Sequence, residues 1–169
     1  MQGRGDYPLS AAGRAQASSA RDSVVSWGAT VYVASDLSRS YETALIISDA
    51  AAVLRDTRLT ERDAGPWEGR PRAEMERDHP GSLENDTLRP PGFEAASSVA
   101  ARLFGAFEEF INHEGLVVVV GHGATMRVVE AELAGVRQRY ANLEGMALSA
   151  SLEWLGRVET LPNHEESGQ

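Results

Sequence analysis

Three short segments of the sequence carry side chains suited to anion chemistry. His122 stands between two glycines directly after an apolar run, Leu116–Val120. Arg39 follows a β-branched and aromatic stretch, and Glu61 begins a segment rich in charge, glycine and proline. Ligands of open α/β sheets bind at the carboxyl ends of the strands, where helix N-termini present unpaired N–H groups. These positions therefore indicate a site for an anionic ligand at one edge of a sheet.

Each residue also has a structural interpretation that the sequence leaves open. His122 could simply cap a turn, and Arg39 could pair with Asp36 or Glu42 on the surface. An arginine near a helix N-terminus opposes the helix dipole, which favours a functional role over a stabilising one. Glu61 is one of three acids in its segment, and most glutamates are solvated. In a partly enclosed pocket, however, the pKa of a carboxyl group rises and the group can donate a proton.

The elements that must position these residues alternate between helix and strand. This alternation predicts an α/β fold with a mainly parallel central sheet, right-handed crossovers and helices on both faces. Ser10 is predicted to cap the first helix, and Ser35-Asp36 the second. The remaining predicted elements are a strand at Thr30–Ala34, an amphipathic helix at Ala95–Asn112, a strand at Leu116–Val120, a helix at Ala124–Leu133 and late strands at Met146–Leu155 and Val158–Leu161.

A single domain over residues 1–169 is expected, with a small cap at about residues 66–93. Prolines interrupt this excursion, and a short helix at about Arg72–Asp78 is the only regular element predicted there. The cap holds side chains that could select a substrate: Trp67, Arg70, Arg72, Arg89 and Phe93.

Composition excludes several classes of protein. The chain has no cysteine and no lysine, which excludes disulfide scaffolds, thiolate chemistry, Schiff bases and lysine-containing phosphate-binding loops. Arginine remains, and its planar guanidinium binds phosphate well. The net charge of −9 argues against nucleic acid and anionic membranes as partners. No membrane span or signal peptide is evident, so the expected location is cytoplasmic.

Four motifs in order resemble those of the histidine phosphatase (phosphoglycerate mutase-like) superfamily. They are Gly-Asp-x-Pro-Leu-Ser-x-x-Gly-x-x-Gln from Gly5, Ser-Asp-Leu-x-Arg-x-x-x-Thr from Ser35, Leu-x-Glu-x-x-x-Gly-x-Trp-Glu-Gly from Leu59, and Gly-His-Gly from Gly121. The resemblance covers the chain from Met1 to at least Leu155.

The resemblance implies a role for each candidate residue. His122 corresponds to the second histidine of the family site, Arg39 to a phosphate-binding arginine, and Glu61 to the acid that protonates the leaving oxygen. Gln2 and Gly3 fall where the family's loop approaches the substrate. Gly123 follows the histidine as it does in the family.

The sequence departs from the family at its beginning. The family opens with a central strand ending in Arg-His-Gly, which carries the nucleophilic histidine, and no such segment precedes Gln2. His79, His113 and His164 lie outside any comparable motif. We expect Met1 to be an internal methionine of a longer protein; the absence of an in-frame Arg-His-Gly upstream would refute this.

The resemblance implies a phosphatase for small phosphorylated metabolites that works through a phosphohistidine. These 169 residues are expected to be inactive or truncated, because they lack the nucleophile. One alternative is a non-catalytic module that binds a phosphorylated metabolite or a protein, and another is mutase-type phosphotransfer. The expected ligand is a small phosphorylated substrate or inorganic phosphate, with no metal and no cofactor. The sequence leaves the oligomeric state open.

Overall fold

The computed structural model describes residues 1–160. Its helices are α1 (Ala11–Ser26), α2 (Ser38–Ile47), α3 (Arg72–Asp78), α4 (Ala96–Phe110) and α5 (Gly123–Ala134), and its strands are β1 (Val31–Ser35), β2 (Val53–Asp56), β3 (Val117–Val120), β4 (Glu144–Leu148) and β5 (Trp154–Glu159). No helix within these residues is both long enough and apolar enough to cross a bilayer.

The central sheet is parallel and has β1 in the middle, in the order β2-β1-β3. Val33 of β1 lies opposite Leu54 of β2 on one side and Val119 of β3 on the other. Parallel neighbours need crossovers, and helices supply them here. The carboxyl ends of the strands therefore meet at one edge of the sheet, as the sequence predicts.

Both faces of this sheet are covered by helices, so the predicted fold class is confirmed. Val33 belongs to a core that contains Leu103 of α4 and Val128 of α5. Its neighbour Tyr32 packs on the opposite face against Ala20 of α1. Successive side chains of a strand point to opposite faces, which explains why β1 and β3 read as continuous apolar runs.

The last two strands form a separate antiparallel hairpin, β4-β5. The predicted strand Met146–Leu155 was wrong in its bounds because a turn interrupts it. In that turn the Ser149 hydroxyl accepts hydrogen bonds from the amides of Ser151 and Glu153, and Leu152 takes a positive φ of 59°. Leu161, the predicted end of the final strand, lies outside the described residues.

The hairpin does not continue the parallel sheet. Within residues 1–160, β3 pairs with β1 alone and β4 pairs with β5 alone. Each of these two strands therefore keeps one edge without a strand partner. Unpaired strand edges offer their N–H and C=O groups to whatever strand can reach them.

The excursion between β2 and α4 has a small core of its own. Trp67 and Met75 are buried there, and Met1, Leu83 and Phe93 pack against them. The predicted short helix is confirmed as α3, and three 3₁₀ turns accompany it. That this segment acts as a cap within a single domain stays a prediction.

Candidate functional site

His122 lies at the carboxyl end of β3, as the residue before the first turn of α5. Its side chain is buried, and its Nε2 is 2.9 Å from the hydroxyl oxygen of Ser35, at the end of β1. Burial lowers the pKa of His122 to about 3, and the positive charges of Arg39 and Arg102 act in the same direction. The ring is therefore neutral at physiological pH.

Arg39 lies in the first turn of α2 and points toward the N-terminal loop. Its guanidinium donates to the carbonyl oxygens of Gly5 at 2.8 Å and Gly3 at 3.0 Å. It does not form the surface pair that the sequence left open, because Glu42 pairs with Arg14 instead. Burial lowers the pKa of Arg39, while the nearby negative charge of Glu61 opposes this shift.

The N-terminal loop is anchored to α2 by Asp6. The Asp6 carboxylate accepts hydrogen bonds from the Ser38 amide at 2.7 Å and the Ser38 hydroxyl at 2.8 Å. The predicted cap by Ser35-Asp36 was wrong. The residue preceding α2 is Leu37, whose side chain makes no capping bond, and a carboxylate distant in sequence takes that role.

The two loop positions singled out in the sequence differ in their surroundings. Gly3 is buried with φ of +52°, and a Cβ there would lie 2.3 Å from Glu68 Oε1, so a larger residue would be strained and would displace the Glu68 side chain. The side chain of Gln2 is exposed and makes no hydrogen bond within residues 1–160, while its carbonyl closes a turn with Gly5. The Gly3 carbonyl thus contacts Arg39, whereas the Gln2 side chain is exposed to solvent.

Glu61 occupies the N-terminus of α5. Its carboxylate accepts from the amides of Arg62 at 2.9 Å, Thr125 at 3.3 Å and Ala124 at 3.4 Å. Burial nevertheless raises the pKa of Glu61. The helix amides that the sequence assigned to an incoming anion are therefore already engaged by this carboxyl group. The space around Gly123 is open, since a Cβ there would meet no atom within 4 Å.

The other two acids of this segment have structural partners. Asp63 accepts from the Gly65 amide at 2.8 Å, and Glu68 accepts from the Arg4 amide at 2.6 Å. Glu61 is thus the acid of the three that bonds to the turn after His122.

Several residues at this edge were missed by sequence reasoning. Ser35 contacts His122, and the Thr125 hydroxyl donates to the His122 carbonyl at 2.8 Å. Arg102 of α4 donates to the carbonyl of Thr60 at 2.7 Å and pairs with Glu94 at 2.9 Å, which fixes the chain just before Glu61. Ser35 begins the Ser-Asp-Leu-x-Arg-x-x-x-Thr motif, which could have identified it as a site residue. Arg102 lies on an amphipathic helix outside the four motifs, and no feature of the sequence marks it.

The other histidines lie apart from the site, as far as the structure describes them. His79 follows α3 with its ring 5.5 Å from the ring of Trp67, and His113 follows the end of α4. His164 lies outside the described residues. Of the cap residues proposed for substrate selection, Trp67 is only 1% exposed and serves the small core.

Comparison with known proteins identifies the family. The model of the histidine phosphatase superfamily (branch 1) matches residues 1–159. The glucosyl-3-phosphoglycerate phosphatase of Mycobacterium tuberculosis is 34% identical over an alignment of 149 positions, which covers 79% of this chain and 67% of that protein. A probable phosphoglycerate mutase GpmB of Enterobacter sp. is 31% identical over an alignment of 145 positions, which covers 80% of this chain and 67% of that protein.

Solved structures agree in fold. A mycobacterial glucosyl-3-phosphoglycerate phosphatase in complex with VO₃ has a TM-score of 0.83 at 31% identity, covering 96% of this chain and 90% of that one. The same enzyme with inorganic phosphate has a TM-score of 0.81 at 30% identity, covering 95% and 90%. The chain therefore belongs to branch 1 of the histidine phosphatase superfamily.

Proposed function

We propose that the edge formed by Arg39, Glu61 and His122 binds the phosphoryl group of a small phosphorylated metabolite. The observation that carries this proposal is the convergence of the three side chains, from three segments of the sequence, at the carboxyl ends of β1 and β3. The phosphate and VO₃ complexes of the mycobacterial relative support it. In the intact family form, the reaction would be hydrolysis of a phosphoric monoester.

Arg39 has the donors that such a group requires. A guanidinium has five N–H donors, and the carbonyls of Gly3 and Gly5 each receive one of them. Three donors remain for phosphoryl oxygens, and charge-assisted bonds of this kind are among the strong ones.

His122 can add one more donor while remaining neutral. The Ser35 hydroxyl accepts from the Leu37 amide at 3.2 Å, and two acceptors lie within reach of its proton: Asp36 Oδ1 at 3.4 Å and Nε2 of His122 at 2.9 Å. The shorter contact favours donation to His122. The ring proton then resides on Nδ1, where it can be donated to a phosphoryl oxygen. Glu61, with its raised pKa, is suited to protonate the leaving oxygen.

Turnover by the family route needs a nucleophilic histidine in addition to His122. A ring nitrogen forms a bond to phosphorus as the ester oxygen leaves with a proton from Glu61. Water then gives a proton to the Glu61 carboxylate and attacks phosphorus, the N–P bond breaks and inorganic phosphate is released. Within residues 1–160, His122 is the one histidine at this edge. We therefore propose that these 169 residues bind phosphate without turning over an ester, which is the behaviour of a phosphate-binding module.

The free edge of β3 offers a place for a strand that carries the nucleophilic histidine. A strand added there in parallel would end beside His122, at the carboxyl edge of the sheet. If coding sequence upstream of Met1 supplies an in-frame Arg-His-Gly, the longer protein should hydrolyse para-nitrophenyl phosphate, and changing that histidine to alanine should abolish the activity. A longer protein without turnover would contradict the phosphatase proposal.

Binding by the 169-residue chain is tested by calorimetry with inorganic phosphate. The change Arg39→Gln should weaken binding by about 10-fold to 100-fold, because it removes charge-assisted hydrogen bonds. Arg14→Gln, which removes an exposed arginine of α1, is the matched control and should leave binding unchanged. Ester hydrolysis by the 169-residue chain itself, lost in His122→Ala, would contradict the binding-module proposal.

A further inference from the structure

The chain around Glu61 is held in place by contacts other than those of regular secondary structure. Residues 60–64 belong to no helix or strand and lie between two 3₁₀ turns, Thr57–Leu59 and Gly65–Trp67. A general acid must lie within hydrogen-bond reach of the oxygen that it protonates, and a displacement of about 1 Å can cost about 100-fold in rate. The contacts that fix the backbone on either side of Glu61 therefore decide whether its carboxyl group can serve the site.

Arg102 of α4 binds the chain before Glu61 through backbone oxygens. One terminal nitrogen of its guanidinium donates to the carbonyls of Arg58 at 2.5 Å and Thr60 at 2.7 Å, and the other donates to the carbonyl of Glu61 itself at 3.4 Å. The Arg102 side chain is 16% exposed. Because the N–H donors of a guanidinium lie in one rigid plane, these three carbonyls are held in one arrangement.

Glu94, two residues before α4, binds the chain after Glu61. Its carboxylate accepts from the Asp63 amide at 3.0 Å and from Arg102 at 2.9 Å and 3.1 Å. The backbone adds to this attachment, since the Glu94 amide donates to the Asp63 carbonyl at 3.0 Å and the Glu94 carbonyl accepts from the Arg62 side chain at 2.7 Å. Arg102 and Glu94 thus bind both flanks of Glu61 and also bind each other.

The helix that carries Arg102 is fixed to the same core as the elements around the site. Leu103, the next residue of α4, is 3% exposed and packs in the cluster that contains Val33 of β1 and Val128 of α5. The start of α5 provides the amides that donate to the Glu61 carboxylate. One core therefore positions both the backbone of Glu61 and the amides that its carboxylate contacts.

We propose that Arg102 and Glu94 are positioning residues that hold the Glu61 carboxyl group at the N-terminus of α5. Their side chains act through the backbone of residues 58–63 and make no hydrogen bond to the Glu61 carboxylate within residues 1–160. This inference rests on the proposed function where it treats Glu61 as the proton donor, but the placement of the carboxyl group can be measured without it. Released from these contacts, the carboxyl group would leave the amides of Ala124 and Thr125 and enter solvent.

The protonation of Glu61 reports where its carboxyl group lies. The charged and titratable groups around it are Arg4 of the N-terminal loop, Arg39 of α2, Arg102 of α4, and His122 and Arg127 at α5. Burial raises the pKa of Glu61. Arg102→Met removes both the attachment and one positive charge, and these two changes act on that pKa with opposite signs. Release into solvent lowers the pKa toward that of a solvated glutamate, whereas loss of a nearby positive charge alone raises it.

An NMR titration of the 169-residue chain with ¹³C-labelled glutamate measures this pKa, and Glu61→Gln identifies the Glu61 resonance. In Arg102→Met we expect the pKa of Glu61 to fall, and the amide resonances of Ala124 and Thr125 to stop following its titration. Arg102→Lys keeps the charge but offers one nitrogen where arginine uses three. It should therefore lower the pKa as well, and it carries the test if Arg102→Met does not fold.

Arg58→Met is the matched control. Arg58 also joins the chain before Glu61 to α4, through Glu109 and the Gly105 carbonyl, but its side chain makes no hydrogen bond or ion pair to residues 60–63. This change should leave the pKa of Glu61 where it is in the unmodified chain. Circular dichroism and thermal melting check that each variant is folded.

Three results would overturn the positioning role: an unchanged pKa of Glu61 in the folded Arg102 variants, a rise in Arg102→Met, or an equal fall in Arg58→Met. Failure of the proposed function gives a different result. If inorganic phosphate does not bind, or if its binding is insensitive to Arg39→Gln, the phosphoryl site is wrong, and the titration of Glu61 still decides whether Arg102 and Glu94 hold its carboxyl group.

Discussion

Glu61 is placed where its carboxylate would compete with the anion that we propose for this site. It bonds to the amides at the start of α5 and lies close enough to Arg39 for their charges to interact. While ionised, it neutralises part of the positive field that an incoming anion would meet. Burial raises the pKa of Glu61, so this competition weakens in acid earlier than it would for a solvated glutamate.

Anion binding should therefore become tighter as the pH falls, and Glu61→Gln should remove that dependence. Sulfate is the suitable probe, because it stays a dianion at every pH used. Over the range from about pH 8 to about pH 5, Asp6 stays ionised because its pKa is lowered, and His122 stays neutral. Glu61 is then the group beside Arg39 whose pKa is raised toward this range by burial. Calorimetric titrations should show affinity rising several-fold in the unmodified chain and staying flat, at the higher value, in Glu61→Gln.

A matched control is Glu74→Gln, which removes an exposed acid from α3 and should preserve the pH dependence. Glu61→Gln itself should leave the local structure intact, because glutamine retains a carbonyl oxygen that can accept from the amides at the start of α5. Identical pH profiles in the unmodified chain and Glu61→Gln would show that Glu61 does not govern the field at this site.

One buried ion pair attaches the hairpin β4-β5 to α5. Glu130 of α5 is 1% exposed, and Arg157 of β5 donates to both of its oxygens at 2.7 Å. The guanidinium also lies 4.2 Å from the ring centroid of Tyr140. Neither strand of the hairpin pairs with the parallel sheet. The Glu130–Arg157 ion pair is therefore a principal polar contact that holds the hairpin against α5.

Arg157→Met should strongly destabilise the protein, because it leaves the Glu130 carboxylate buried without its cationic partner. The double change Glu130→Met with Arg157→Met should recover much of the loss. The hydrogen bonds from Arg157 lower the pKa of Glu130, so the pair's contribution is present above the unfolded pKa of about 4.5 and is lost as the pH falls through the lower folded value.

Urea unfolding at pH 7 and again near pH 4 measures both effects, with Arg77→Met as the control for losing an exposed arginine. The gap in unfolding free energy between the unmodified chain and Arg157→Met should shrink in acid. A gap that is absent at pH 7 would indicate that the hairpin is held by apolar contacts alone.

The elements themselves could be predicted from the sequence because their signals are local. Ser10 caps α1 as expected by accepting from the Gly13 amide, and the apolar spacing of α4 matches its buried face. The turn at 149–153 escaped prediction because no glycine or proline marks it; a serine hydroxyl and a positive φ at Leu152 build it instead. The cap of α2 also escaped, since Asp6 is 32 residues away from Ser38 in sequence.

The sequence could predict that His122, Arg39 and Glu61 lie at one edge of the sheet, but not what surrounds that edge. These positions were predictable because each follows a recognisable strand or motif. A nearby cavity escaped prediction, because its lining arginines are scattered along the sequence and converge only in the folded chain: Arg62, Arg72, Arg89, Arg127, Arg137 and Arg139. The division of the strands into two sheets is likewise a matter of long-range pairing, which local patterns do not encode.

The separation of the strands into two sheets predicts which backbone amides of β3 are exposed. In a parallel pair, alternate residues direct their N–H groups to opposite sides, so every second amide of β3 should face its unpaired edge. All N–H groups of β1 have a neighbouring strand on one side or the other. Hydrogen exchange followed by NMR on the 169-residue chain should therefore show continuous protection along β1 and alternating protection along β3.

The same hydrogen-exchange measurement distinguishes an open edge of β3 from a covered one. Val119 of β3 is 37% exposed, so its side chain offers little shielding to the backbone around it. Uniform protection of β3 at every protein concentration would contradict the open edge. Alternating protection that becomes uniform when a longer chain supplies an Arg-His-Gly strand would show that the edge accepts that strand in parallel. The strand's histidine would then lie beside His122, because parallel strands end at the same side of the sheet.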